Sequence, residues 1–247
     1  MRSYKLSVLV LILMLALSST IFTTVRNKSL ASSENDENYA RNNLQDNDEL
    51  NEQLPLIDYD APESNDSKKR ARRRKKGAKY DKASNPLSDA YTRKTHVNEG
   101  VPRSALPVEV SSVILIGTVT EVEAVLSNDR TGVYTELTIQ IEEILKDDGQ
   151  QLTPGSSVVV ERQGGRVKFP SGHITTEHVT WTGMPRPGKR YVLFLTRVPL
   201  DLYIHFGYEL TGSKVALLDK YPGHPSQSYK GADEWKLISD LRTALAK

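Results

Sequence analysis

The chain of 247 residues contains no cysteine. Disulfides, a lipidated cysteine, thiolate-ligated zinc and a cysteine nucleophile are excluded together. Export is not excluded, because a core of more than about 100 residues is stable without disulfide staples. Apolar residues are sparse as well. A hydrophobic content of 38% is low for a fully packed chain of this length, so part of it is expected to lie outside any core. Compact catalytic signatures are missing too: no nucleophile elbow, HExxH pair, Walker-type loop or acidic EF-hand loop occurs. No catalytic residue, metal ligand or cofactor is assigned, and the chain is expected not to be an enzyme.

What is present begins with charge. The net +2 conceals segregation: residues 34–66 are rich in Asp and Glu, residues 68–82 are almost purely basic, and the chain from residue 105 onward is close to neutral. Ahead of these blocks, Arg2 and Lys5 precede the apolar runs LSVLVLILMLAL and SSTIFTTV, which end at Val25 before Arg26 and Lys28. This composition predicts an export segment over residues 1–31. Two readings stand. One is a cleaved signal peptide whose core ends near Leu17, with Ala16 and Ser18 or Ser29 and Ala31 as small-residue cleavage positions. The other is a retained signal anchor of about 20 residues, a transmembrane helix over residues 6–25. In both, the basic end stays cytoplasmic and the remainder crosses the membrane, anchored in the cell envelope or secreted.

Residues 32–104 show neither a period of 2 nor one of 3.6, which predicts a disordered charged linker. Within it lies KKRARRRKKGAK, whose Lys68, Lys69, Arg70, Arg72, Arg73, Arg74, Lys75 and Lys76 are the candidate polyanion contacts. Such a run binds polyanions by releasing counterions. Outside the cytoplasm nucleic acid is not the expected partner; anionic lipid, envelope polysaccharide and the neighbouring acidic block remain, beside the plain reading of a solvated tether.

Order is predicted from residue 105. VILIGTVTEVEAVL opens on a buried run and continues in alternation, with Gly117 marking a bend or bulge. After the turn residues SNDRTG, Thr135, Leu137, Ile139 and Ile141 fall on one strand face, with Tyr134, Glu136, Thr138, Gln140 and Glu142 on the other, so the pair reads as a long hairpin with one wet face. Gly164 and Gly165 read as a hairpin turn, and YVLFLTRV as a central buried strand. About seven or eight short strands without crossover helices predict a small antiparallel barrel or sandwich. The domain over residues 105–247 ends in a helix over residues 232–246, on which Trp235, Ile238, Leu241 and Leu245 are read as one packed side.

The succession VILIGTVTEVEAV, YTELTIQIEEILK, LTPGSSVVVERQGG and RPGKRYVLFL resembles a group of exported bacterial proteins of unknown ligand. These in turn are similar to the netrin-like, OB-type five-stranded barrels of tissue metalloproteinase inhibitors. The resemblance covers residues 108–219 and implies a β-barrel binding module. It does not carry inhibition with it, because the N-terminal cysteine through which those inhibitors reach a metal is absent.

Remaining candidates reduce to bland readings. His173 and Glu177 share a strand face about 13 Å apart while His178 points the other way, so they cannot chelate one ion from a regular strand. Gly164–Gly165 beside Arg162, Arg166 and Lys168 is flanked by strands rather than opening a helix, so it is not read as a phosphate cradle. Glu142, Glu143, Asp147 and Asp148 read as solvated charge, and Arg186, Lys189 and Arg190 as turn polarity. The leading expectation is a non-enzymatic envelope protein with a β-barrel interaction module. The alternatives are a cryptic enzyme with a site assembled across strands from His173, His178 or His205, and a polyanion binder working through residues 68–82.

Overall fold

A computed structural model describes residues 54–83, 86–90, 93–96, 100–149, 151–198 and 201–247. The expected export segment and most of the acidic block lie outside them. Among the described residues no helix is long and apolar enough to cross a membrane.

The protein is mainly β. In chain order the elements are β1 (Leu56–Asp58), α1 (Ser67–Gly77), β2 (Arg93–His96), β3 (Val113–Leu126), β4 (Val133–Asp147), β5 (Ser157–Gln163), β6 (Gly165–Lys168), β7 (Ile174–Val179), β8 (Arg190–Val198), β9 (Asp201–Thr211), β10 (Lys214–Leu217), a 3-10 turn (Pro225–Tyr229) and α2 (Glu234–Leu245).

The β3–β4 hairpin is the longest pairing, and it forms where the alternation places it. Register shifts at Ile114/Leu115, Ile116/Gly117 and Val119/Glu121 bend it. At Gly117 a Cβ would stand 2.6 Å from the Gln140 carbonyl oxygen, so the strands can approach there only without a side chain. The larger sheet runs β10-β9-β5-β4-β3-β8, and β9 also pairs with β8. Pairing therefore passes from β3 through β4, β5, β9 and β8 and returns to β3. Antiparallel order prevails, but β5–β9, β1–β6 and β2–β7 are parallel. That corrects the all-antiparallel expectation: parallel partners need long connections, and those pairs join segments distant in the chain.

Residues facing the inside of this ring form one core, with Val113, Leu115, Leu137, Ile139, Val160, Tyr191, Leu193 and Ile204 buried together. YVLFLTRV is buried on both faces, as its unbroken apolar run predicts. Its other face, through Val192 and Phe194, joins Ile114, Ile116, Phe206 and Tyr208 beneath α2. There Leu237 and Leu241 are fully buried, while Trp235 is 71% exposed. Trp235 is thus not the core anchor expected. At ~100° per residue it points some 110° away from the centre of the stripe made by Leu237, Ile238, Leu241 and Leu245.

Gly164 and Gly165 make no hairpin. They carry the chain out of the larger sheet, where β5 ends, into the smaller sheet β1-β6-β7-β2. Gly164 has φ 112°, and a Cβ on it would lie 2.9 Å from the Glu177 carbonyl oxygen, so the crossing needs both the torsion and the missing side chain. The smaller sheet has its own core of Val167 and Phe169 with Leu87, Ala124 and Val133.

A further correction is α1. Residues 67–77, expected to be part of a disordered linker, are helical and packed on the strands. Asp66 caps the helix by accepting from the amides of Lys68 (2.8 Å) and Lys69 (3.2 Å), and Arg74, Lys75 and Lys76 complement the dipole at its other end.

Candidate functional site

Eight of the eleven residues of α1 are Lys or Arg, and local repulsion would melt such a helix in isolation. Carboxylates on β3, β4, β5 and β9 hold it. Glu136 and Glu161, neighbours across β4 and β5, lie on the face expected to be wet, and the helix buries them to 5% and 1% exposure. Arg73 reaches Glu123 at 2.5 Å and Glu136 at 2.8 Å, and Lys69 reaches Glu123 at 2.7 Å. Lys76 lies between Glu136 (3.2 Å) and Asp201 (3.0 Å), and Lys79, just beyond the helix, reaches Glu161 at 2.7 Å. Tyr80 stacks on Tyr134 with ring centroids 4.8 Å apart, and the Asn128 side-chain amide donates to the Arg74 carbonyl at 2.9 Å.

The electrostatics follow from burial and pairing. Burial alone would raise the Glu136 carboxyl, but the charge of Lys76 and the hydrogen bond from Arg73 outweigh it and hold the group below the ordinary carboxylate range. Glu123 is lowered in the same way, burial being outweighed by Arg73 and Lys69. At Glu161 burial wins over Lys79, and the carboxyl is raised.

The candidate polyanion contacts thus divide. Lys69, Arg73 and Lys76 are committed to the strand face, and Arg70 and Arg74 lie against Glu63 at 3.8 and 3.0 Å. Lys68 and Lys75 are exposed, and Arg72 is exposed as well but keeps its Nε 3.7 Å from Glu136.

The histidines do not converge. His173 precedes β7, His178 is buried at 8% exposure, and Glu177, at 2%, meets His96 at 2.8 Å. Among the described residues no group of three or more His, Cys, Asp or Glu could hold a metal ion. Arg162, beside the two glycines, turns into the ring instead of toward them. Its guanidinium donates to Asp219 at 2.6 Å and to the Gly183 carbonyl at 2.6 Å, while Asp219 accepts from the amides of Gly183 and Gly207 at 3.1 Å each. Glu142 pairs with Arg190, Glu143 with Arg242 and Asp147 with Arg197, so these carboxylates are structural ties.

A further cleft lies elsewhere. The segment 100–110 crosses in front of β8 and β9 and meets the end of α2, enclosing a cleft of about 750 Å³. Val101, Pro102, Leu106, Val108 and Val110 supply an apolar lining, with Thr196, His205, Arg103, Glu109 and Lys247 at polar points. His205 Nε2 stands 3.0 Å from Ser111 Oγ, which donates to the Pro107 carbonyl at 2.6 Å. With its own proton spent on Pro107, Ser111 accepts from His205. Burial, reinforced by the Arg162 charge, lowers the imidazole to about 4, so it is a neutral donor at neutral pH and a poor base. In the sequence, residues 100–104 fell at the end of the expected linker and residues 105–110 at the start of the expected domain, and nothing in VPRSALPVEV marked a cleft wall. The carboxylates under α1 were visible only as the polar side of an alternating strand.

No protein-family model matches the chain, and no curated protein matches it.

Proposed function

We propose that the chain is an exported or membrane-anchored protein of the cell envelope, without catalysis of its own, whose five paired strands are an OB-type barrel serving as a binding module. The reading of the barrel is supported by the five-strand circuit of pairings and by the parallel β5–β9 pair that completes it. Export is supported by the apolar opening segment and its basic flank.

One observation carries the binding role. The cleft of about 750 Å³ falls within the roughly 300–1,000 Å³ of small-ligand sites and has their make-up, an apolar wall with a few fixed polar groups. Its ligand is small and largely apolar, oriented by a hydrogen bond near His205 and by the charges of Arg103, Glu109 and Lys247 in the lining. A hydrolytic reading of the Ser111–His205 pair is disfavoured because the serine proton points away from the imidazole, which is itself too weak a base.

Fluorescence titration of the full chain with a medium-chain fatty acid bearing an environment-sensitive dye tests this. Saturable binding is expected, and Thr196→Trp or Val110→Trp, each filling the cleft from its wall, should abolish it. Undiminished binding by both variants would falsify the assignment of the cleft.

A further inference from the structure

The eight cations of α1 sort by angle. At ~100° per residue, Lys69, Arg73 and Lys76 share the side that meets Glu123, Glu136 and Asp201, and Arg70 with Arg74 the flank that meets Glu63. Lys68, Arg72 and Lys75 share the remaining side, and all three are exposed. Among the described residues no carboxylate lies within ion-pair distance of Lys68 or Lys75. Arg72 has one long approach, 3.7 Å to Glu136.

Docking gives these outward charges a geometry they could not have alone. The strand-face carboxylates neutralise the inward cations, remove the repulsion that would melt the helix, and leave the outward three as a fixed row. Steps of four and three residues space them by ~6 and ~4.5 Å along the axis. The row lies along the outer side of a helix, none of its three residues lines the pocket that Arg70, Arg73 and Arg74 share, and it fits an array of anions. Its outward side holds no aromatic ring on which a base could stack and no apolar residue larger than Ala71, so a partner would be met through charge alone, at headgroup depth.

We propose that docked α1 is a peripheral binding site for an anionic lipid surface, with Lys68, Arg72 and Lys75 as its contacts and Lys69, Arg73 and Lys76 as its anchors to the protein. The choice of lipid over another polyanion rests on the export reading above, which brings the domain to a membrane. Binding is salt-sensitive, because the contacts are exposed and lie within a Debye length of bulk ions.

Sedimentation of the purified full chain with phosphatidylglycerol-containing vesicles, compared with phosphatidylcholine vesicles alone, isolates the anion-dependent part from any insertion of the apolar N-terminal segment. The triple variant K68Q/R72Q/K75Q should lose that part on the order of 100-fold while its unfolding midpoint stays unchanged. Hydrogen exchange of the α1 amides should remain slow on the vesicles, showing that the helix stays docked. The proposal is overturned if the triple variant binds as the parent does, if R70Q/R74Q loses as much, if vesicles release the helix, or if heparin or RNA is bound and the vesicles are not. Because purified protein is used, cellular fractionation that found the full chain in the cytosol would remove the export reading without deciding the vesicle result.

Discussion

Lys76 Nζ, wholly shielded from solvent, lies 3.0 Å from Asp201 Oδ1, so the basic tract reaches across the chain to the first residue of β9. A buried ammonium is tolerated only with partners, and Glu136 is the second. Replacing Lys76 with Met leaves the buried Asp201 carboxylate without its cation and Glu136 with Arg73 and the more distant Arg72. Denaturant unfolding should show a loss of about 3–5 kcal/mol. A change below about 1 kcal/mol, typical of a surface charge, would mean that α1 does not rest on this face.

Acid should loosen the same contact. Glu123 and Glu136 are held below their unfolded values, so the stability they add is complete above the ordinary carboxylate range and is lost as pH falls through their lowered folded values. Glu161 is raised and opposes them, since its protonation relieves a burial penalty. Hydrogen exchange of the α1 amides, taken relative to the intrinsic rate at each pH, should therefore accelerate as pH is lowered below the ordinary carboxylate range, and Glu136→Gln should show fast exchange already at neutral pH.

His205 gives a second pH window. Its folded value is about 4 against 6.5 for the free group. Between these the unfolded chain takes up a proton that the folded chain refuses, so stability falls as pH drops from 6.5 to about 4 and is not further affected by His205 below that. His205→Gln should flatten that part of the stability curve, and an unchanged slope would contradict the buried neutral imidazole.

The two faces of α2 should separate cleanly. Leu241→Ala removes a fully buried side chain and should cost about 2–5 kcal/mol, whereas Trp235→Ala should stay within about 0.5 kcal/mol of the parent. Intrinsic tryptophan emission offers a check, since Trp235 should be quenched readily by iodide.

At Gly183 a Cβ would fall 2.1 Å from the Leu218 carbonyl oxygen, beside the buried Arg162–Asp219 pair. Gly183→Ala must push backbone against backbone, and a cost of at least about 1–3 kcal/mol is expected in equilibrium unfolding. A variant as stable as the parent would show that the approach can relax without disturbing the ion pair.

Much of the fold was legible because it is written in near neighbours. Alternation through Leu137, Ile139 and Ile141 set the inner face of β4, the apolar run of β8 marked a strand covered on both sides, and Gly117 marked a register shift. The stripe of α2 was legible in outline, with Trp235 misplaced by its angle. The site was far less legible. His205 and the segment 100–110 come together only through the packing of β9 and α2, and nothing local to VPRSALPVEV marks a cleft wall.

The sequence by itself determined which stretches beyond residue 105 become strands, where the last helix lies and that no thiol chemistry is available, because those follow from side-chain periodicity and composition within a few residues; β1 and β2, inside the expected linker, were not legible. Only the tertiary structure decided that the basic tract is a helix, that β5 runs parallel to β9, and that the di-glycine crosses between sheets. In each case contacts between segments distant along the chain decide the outcome, and the helix shows it through charge. Lys76 is helical because Glu136 and Asp201, distant along the chain, neutralise it in a buried place, and a balance of charge between remote segments leaves no local pattern to read.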